Sequence, residues 1–151
     1  MLAAFLMAAI QIGFAQESSK VEKAVNEMVK KYENVKGVEC ITLVKGSGLE
    51  LMKTVFNKEF GRSFMKGVTS ITIIEYGDAP EQTCQQLRKE LDVFTSLLQD
   101  FNLGKEKEFS DNDYVRAFAN EKDGKLSDFI IAIEDGSSKT IMYMAGEIIV
   151  D

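Results

Sequence analysis

Histidine is absent from the 151-residue chain, and no other gap in its composition excludes as much chemistry. Without imidazole, the protein lacks the usual general base, the commonest metal ligand and the side chain that ordinarily switches charge near neutral pH. Ser-His-Asp and Cys-His sites are excluded within one chain. Cysteine is nearly as scarce. The two present fall short of the four thiolates that a structural zinc site without histidine takes. A single proline and 11 glycines leave no low-complexity or long disordered tract. No internal repeat recurs at a fixed period. Basic residues are outnumbered, 18 Lys and Arg against 24 Asp and Glu, for a net charge of −6. An acidic surface with no basic stripe repels phosphate backbones, so nucleic acid is not the expected partner.

Charge is missing altogether from "MLAAFLMAAIQIGFAQ", residues 1–16. Its apolar run, Leu2 to Ile12, is far shorter than the roughly 20 residues of a spanning helix and matches the h-region of a signal peptide. Gly13 and Ala15 place small residues at −3 and −1 of a cleavage before Gln16. The expected organisation is a cleaved signal peptide over 1–15 and a single α+β domain over 17–151. No cysteine follows the small residues, so a lipid anchor is not expected, and the expected location is periplasmic or secreted. The n-region has no Lys or Arg, and a buried N-terminal helix is the competing reading.

What remains is ordinary for a globular domain: 45% apolar and 28% charged residues. Val21, Val25, Met28, Val29 and Tyr32 form a helical stripe, with Ser19 and Glu22 as a capping box. "VECITLVK", Val38 to Lys45, is β-branched and apolar on both faces, the pattern of an interior strand. Ser47 is placed to cap a second helix striped by Leu49, Met52, Val55, Phe56 and Phe60. Val68 to Gly77 reads as a second strand. Asp78, Ala79 and Pro80 then open the longest helix, whose buried face is Cys84, Leu87, Leu91, Phe94, Leu98 and Phe101. After Gly104 the apolar period changes to two. A short strand over Lys105 to Phe109 precedes three antiparallel strands with turns at Asp123-Gly124 and Asp135-Gly136. The expected architecture is an α+β two-layer sandwich, a mixed sheet with a C-terminal antiparallel meander packed on two to three helices. The face away from the helices has few polar interruptions and is expected to be only partly solvated.

Each candidate site has a plainer reading beside it. Cys40 and Cys84 are placed to meet as a disulfide in an oxidising compartment, or to remain two buried thiols. They lack the C-x-x-C spacing of a redox site. "GSGLELMK" has a glycine-rich turn before a helix but fits neither phosphate-binding glycine motif, so it reads as a strand-to-helix turn. Glu108, Asp111 and Asp113 resemble a calcium loop without its bend glycine and read as a solvated turn. Glu75, Asp78 and Glu81 suit the positive end of the third helix better than an acid/base pair. Phe129, Ile131, Met142, Tyr143 and Met144 offer an apolar interaction face, although most of them also suit the core. No catalytic, cofactor-binding or metal-ligating set emerges.

Two stretches carry a family resemblance. "YENVKGVECITLVKGSGLELM" resembles the opening of the domain of unknown function 4252 family, small exported proteins of Bacteroidetes. "LSDFIIAIEDGSSKTIMYMAGEII" is similar to that family's closing hairpin, an apolar strand, a glycine turn and a "G-E-I"-like end. The resemblance spans residues 18–150. It implies export to the envelope of a Gram-negative bacterium, with no enzymatic activity and no catalytic residues to carry over. Members often have a lipobox cysteine, and this chain has none. The expected function is an exported, non-enzymatic binding or interaction domain of the cell envelope, whose partner is an unknown envelope protein or small ligand. Alternatives are a hydrolase using two carboxylates across a cleft, one of them desolvated, and a regulatory component of envelope-stress signalling.

Overall fold

A computed structural model describes residues 20–44, 46–60, 64–100, 113–136 and 138–149. The expected signal peptide, the Ser19 cap, the strand over 105–109 and most of the acidic loop, including Glu108 and Asp111, lie outside the described residues. The domain is α+β. Helix α1 (20–32) leads to β1 (Glu39–Leu43), α2 (Ser47–Phe60), β2 (Gly67–Glu75) and α3 (Glu81–Glu90). The strands β3 (Gln99–Asp100), β4 (Tyr114–Lys122), β5 (Lys125–Asp135) and β6 (Ser138–Ile148) follow. They form one six-stranded sheet in the order β1-β2-β6-β5-β4-β3. Every pairing is antiparallel, so the sheet is not mixed as expected.

Because side chains alternate along a strand, each sheet face draws on every second residue. One face carries Ile74, Phe118, Ile130, Ala132, Ile141 and Tyr143. It packs against Val21, Val25, Met28 and Tyr32 of α1 and Cys84 and Leu87 of α3, all buried. The opposite face carries Ile71, Ala117, Ala119, Phe129, Ile131 and Met144, capped by Leu49 of α2 with Phe64 and Met65. Helices therefore lie on both faces, and the sheet is the middle of three layers. The face expected to be partly solvated is the one under α2.

Helix α3 is shorter than its apolar stripe predicts. It ends at Glu90, a 3-10 turn covers Leu91–Thr95, and the chain re-enters the sheet at Gln99. Within and just after that turn, Thr95 Oγ1 donates to the Asp92 carbonyl at 2.7 Å and Ser96 Oγ to the Val93 carbonyl at 2.9 Å. Leu91, Phe94 and Leu98 are still buried; residues three apart eclipse in a 3-10 turn, which keeps Leu91 and Phe94 on one side.

Strand β1 departs most from expectation. Its sequence reads as interior, yet it is the edge of the sheet, and its residues are exposed or only half buried. Ser47 is the first residue of α2 rather than its cap; Gly46, at φ +106°, accepts from the Glu50 amide in the capping place.

Candidate functional site

Buried polar groups come first, because each must be satisfied. On the α1/α3 face, Glu134 of β5 is held by Arg88 of α3 through Nε at 2.6 Å and Nη2 at 2.5 Å. Tyr76 donates its hydroxyl to the same carboxylate at 3.2 Å. The Arg88 guanidinium beside Glu134 holds its carboxyl below the ordinary range. Burial, then the Glu134 charge, pushes the Tyr76 phenol well above its own. A second pair, Tyr143 donating to Asp128 at 2.8 Å, lies in the same layer. Burial and the Asp128 charge likewise raise the Tyr143 phenol. Asp128 sits at a bulge in β5 with φ +52°, a backbone that Asp tolerates better than most residues. Glu90 ties α3 to α1 by accepting from Lys31 and Tyr32. Arg88 thus anchors α3 to the sheet through Glu134, Lys31 and Tyr32 tie α1 to α3 through Glu90, and Tyr143 with Asp128 braces β6 against β5.

The α2 face is built differently. Following the register across it gives three rows. Leu43, Ile71, Met144 and Phe129 lie in line under the start of α2. Gly48 of α2 approaches so closely that a Cβ there would meet the Leu43 side chain at 3.3 Å. Ile71, Phe129 and Met144 are buried accordingly. The next row is Ile41, Ile73, Met142 and Ile131. Here cover fails toward the edge: Ile131 is buried, Met142 and Ile73 are half buried, and Ile41 is 49% exposed. The third row is Glu39, Glu75 and Thr140, with both carboxylates exposed. Exposure rises from one end of the face to the other because α2 covers only one end. Val44 at the end of β1 and Leu51 and Val55 on the outer side of α2 are also more than half exposed.

The carboxylate row opens into a polar cleft of about 340 Å³ at the end of the sheet, lined by Val38, Glu39, Glu75, Asp78, Lys139 and Thr140, among others. Glu39 and Glu75 stand directly opposite each other on neighbouring strands, an arrangement that costs stability. Among the described residues, no hydrogen bond or ion pair engages the side chains of Glu39, Glu75 or Asp78. Lys139, the one cation among the described residues of the lining, is directed elsewhere, donating to the Cys84 sulfur at 3.4 Å and pairing with Glu81 at 3.9 Å. Gly37, at φ +84°, closes the cleft's wall; a Cβ there would strike the Asp78 carbonyl at 2.3 Å.

The structure redistributes the residues singled out from sequence. Cys40 and Cys84 are both free thiols. Cys84 is buried at the start of α3, its sulfur near the carbonyls of Tyr76 and Ala79 and the Lys139 ammonium, while Cys40 is half buried on the edge strand. The two sulfurs are not bonded to each other in this structure, and burial, then the Glu33 charge, raises the Cys40 thiol's pKa. Phe129, Ile131, Met142, Tyr143 and Met144 do not make one face. Tyr143 points to the α1/α3 side and the other four to the α2 side, and only Met142 escapes full burial. Glu81 fits the helix-dipole reading in the first turn of α3 and pairs with Arg88 and Lys139. Glu75 and Asp78 instead line the cleft. Sequence reasoning missed Glu39 and Ile41, because their importance depends on β1 being an edge. Among the described residues no three acidic or cysteine side chains group as a metal site, and no helix is long and apolar enough to cross a membrane. Compared with known proteins, the chain matches no family model, no curated protein and no solved structure.

Proposed function

We propose that the protein is an exported, non-enzymatic interaction domain of the bacterial cell envelope, and that its contact surface is the open end of the α2 face with the β1 edge. One observation carries the reading. The strand over 38–45 has the composition of an interior strand, yet it forms the sheet's edge with Ile41 half exposed beside the uncovered Ile73 and Met142. The paired part of that edge, Glu39–Leu43, contains no proline or lysine and exposes Ile41, and such an edge invites pairing with another chain. Its retention is explained if a partner covers it. The uncharged opening segment and the family resemblance support the envelope location. The carboxylate-hydrolase alternative is weaker. Its general acid must be withdrawn from water, whereas Glu39, Glu75 and Asp78 are exposed, and the buried Asp128 and Glu134 are bonded to Tyr143 and Arg88.

The test is affinity capture from a periplasmic fraction with the wild-type protein and with Ile41→Asp in parallel. Recovery of one stoichiometric envelope protein by the wild type, lost with the variant, is the expected result. Equal recovery by both, or none by either, contradicts the proposed surface.

A further inference from the structure

We infer that the β1 edge takes an extended partner segment by strand addition, and that this segment places a lysine or arginine beside Glu39 and Glu75 and an apolar side chain beside Ile41. The inference rests on the interaction-domain reading and specifies its partner.

The backbone supplies the first part. Among the described residues β1 pairs with β2 on one side only, so alternate residues along its outer side present amide and carbonyl groups with no described strand beside them. Main-chain bonding of this kind is indifferent to side chains and gives affinity, while side chains at alternate positions give selectivity. The sheet's geometry then fixes what those side chains meet. A residue directly opposite another on a neighbouring strand shares its face. A seventh strand would therefore extend the existing rows. Opposite Ile41, its side chain continues the row Ile41, Ile73 and Met142, which is apolar and only partly covered. Opposite Glu39, two positions away on the same face, it continues the row Glu39 and Glu75 at the mouth of the cleft that Asp78 also lines.

Charge decides the occupant. Three exposed carboxylates line this end, and the Lys139 ammonium is committed to Glu81 and Cys84. An acidic or neutral side chain would leave the opposed Glu39 and Glu75 as they are or add to their repulsion, whereas a cation relieves it. A second copy of this chain brings the same carboxylates and the same −6 charge, so charge complementarity favours a basic, apolar-alternating strand from another protein.

The experiment uses the whole protein and two fluorescein-labelled peptides, Arg-Thr-Val-Thr-Val-Thr, whose Arg and Val side chains share one face, and its Glu-first counterpart. Fluorescence anisotropy measures binding at low and high salt, and amide hydrogen exchange of Cys40–Leu43 reports strand pairing. The expected result is tighter binding of the Arg peptide by about tenfold, weakening with salt, with added protection of β1 amides. Glu39→Lys with Glu75→Lys, both at exposed positions, reverses the preference between peptides, and Ile41→Lys weakens both. Equal affinities, or binding without protection of β1, overturn the inference. Should neither peptide bind while Ile41-dependent capture of an envelope protein persists, strand addition falls and the interaction-domain reading stands; loss of both removes both. Concentration-dependent dimerisation that protects β1 in the absence of peptide assigns the edge to a second copy and overturns the inference also.

Discussion

The two faces of the sheet are covered by different means. The α1/α3 face is closed by apolar packing and then fixed by polar bonds: Arg88 of α3 on Glu134 of β5 anchors the helix, while Tyr76 on Glu134 and Tyr143 on Asp128 brace the sheet beneath it. The α2 face has apolar packing at one end and open apolar and acidic rows at the other. A buried anchor specifies where a helix sits, because its misplacement strands a buried polar group. Helix α2 meets the sheet through apolar side chains, its Asn57 Oδ1 accepts from the Met65 amide at 3.0 Å in the turn before β2, and Leu51 on its outer side is 66% exposed. The difference separates a part of the molecule built for stability from a part that leaves surface available.

Substitutions sharpen this contrast. Phe94→Ala, in the fully buried layer under α3, should cost about 3–5 kcal/mol in denaturant unfolding. Arg88→Ala comes next. It leaves the Glu134 carboxylate buried with Tyr76 as its remaining hydrogen-bond donor, and about 2–3 kcal/mol is expected because the arginine is itself partly exposed. Leu51→Ala and Val55→Ala, on the outer side of α2, should each fall within about 0.5 kcal/mol of wild type. If the outer α2 substitutions cost as much as the core one, the two faces are not the different structures described.

Acid and alkali act on the anchored face. Glu134 has its carboxyl lowered by Arg88, so its contribution is complete above the ordinary carboxylate range and fades as pH falls through and below it. Acid titration of stability should therefore be steeper for wild type than for Arg88→Ala. Tyr76 and Tyr143 have phenols raised by burial, so their contribution is complete below the ordinary tyrosine range and is lost as pH rises beyond it. Tyr143→Phe should flatten the alkaline limb while costing about 1–2 kcal/mol at neutral pH through the lost bond to Asp128.

Local patterns in the sequence read correctly wherever periodicity decides. The stripe from Val21 to Tyr32 is a helix buried on that side, and the Asp123-Gly124 and Asp135-Gly136 turns close the hairpins joining β4, β5 and β6. Patterns fail where tertiary arrangement decides. An apolar strand such as 38–45 looks interior whether a strand or water lies beyond it, and only the sheet order makes it an edge. The break after Glu90 leaves the apolar stripe intact, because Leu91 and Phe94 stay buried in the 3-10 turn, so periodicity alone does not reveal it. Glu75 and Asp78 were visible as acids near a helix start. Their partner Glu39 becomes visible only through the register of β1 on β2. The bulge at Asp128 has no signal beyond that residue's tolerance of positive φ.

Native-state hydrogen exchange of the protein alone tests most directly whether one face is locked and the other left open. Amides of α3, β5 and the central part of β6 should exchange only through global unfolding. Those of β1 and α2 should open at a free energy several kcal/mol lower. Protection of β1 and α2 equal to that of α3 would contradict the account.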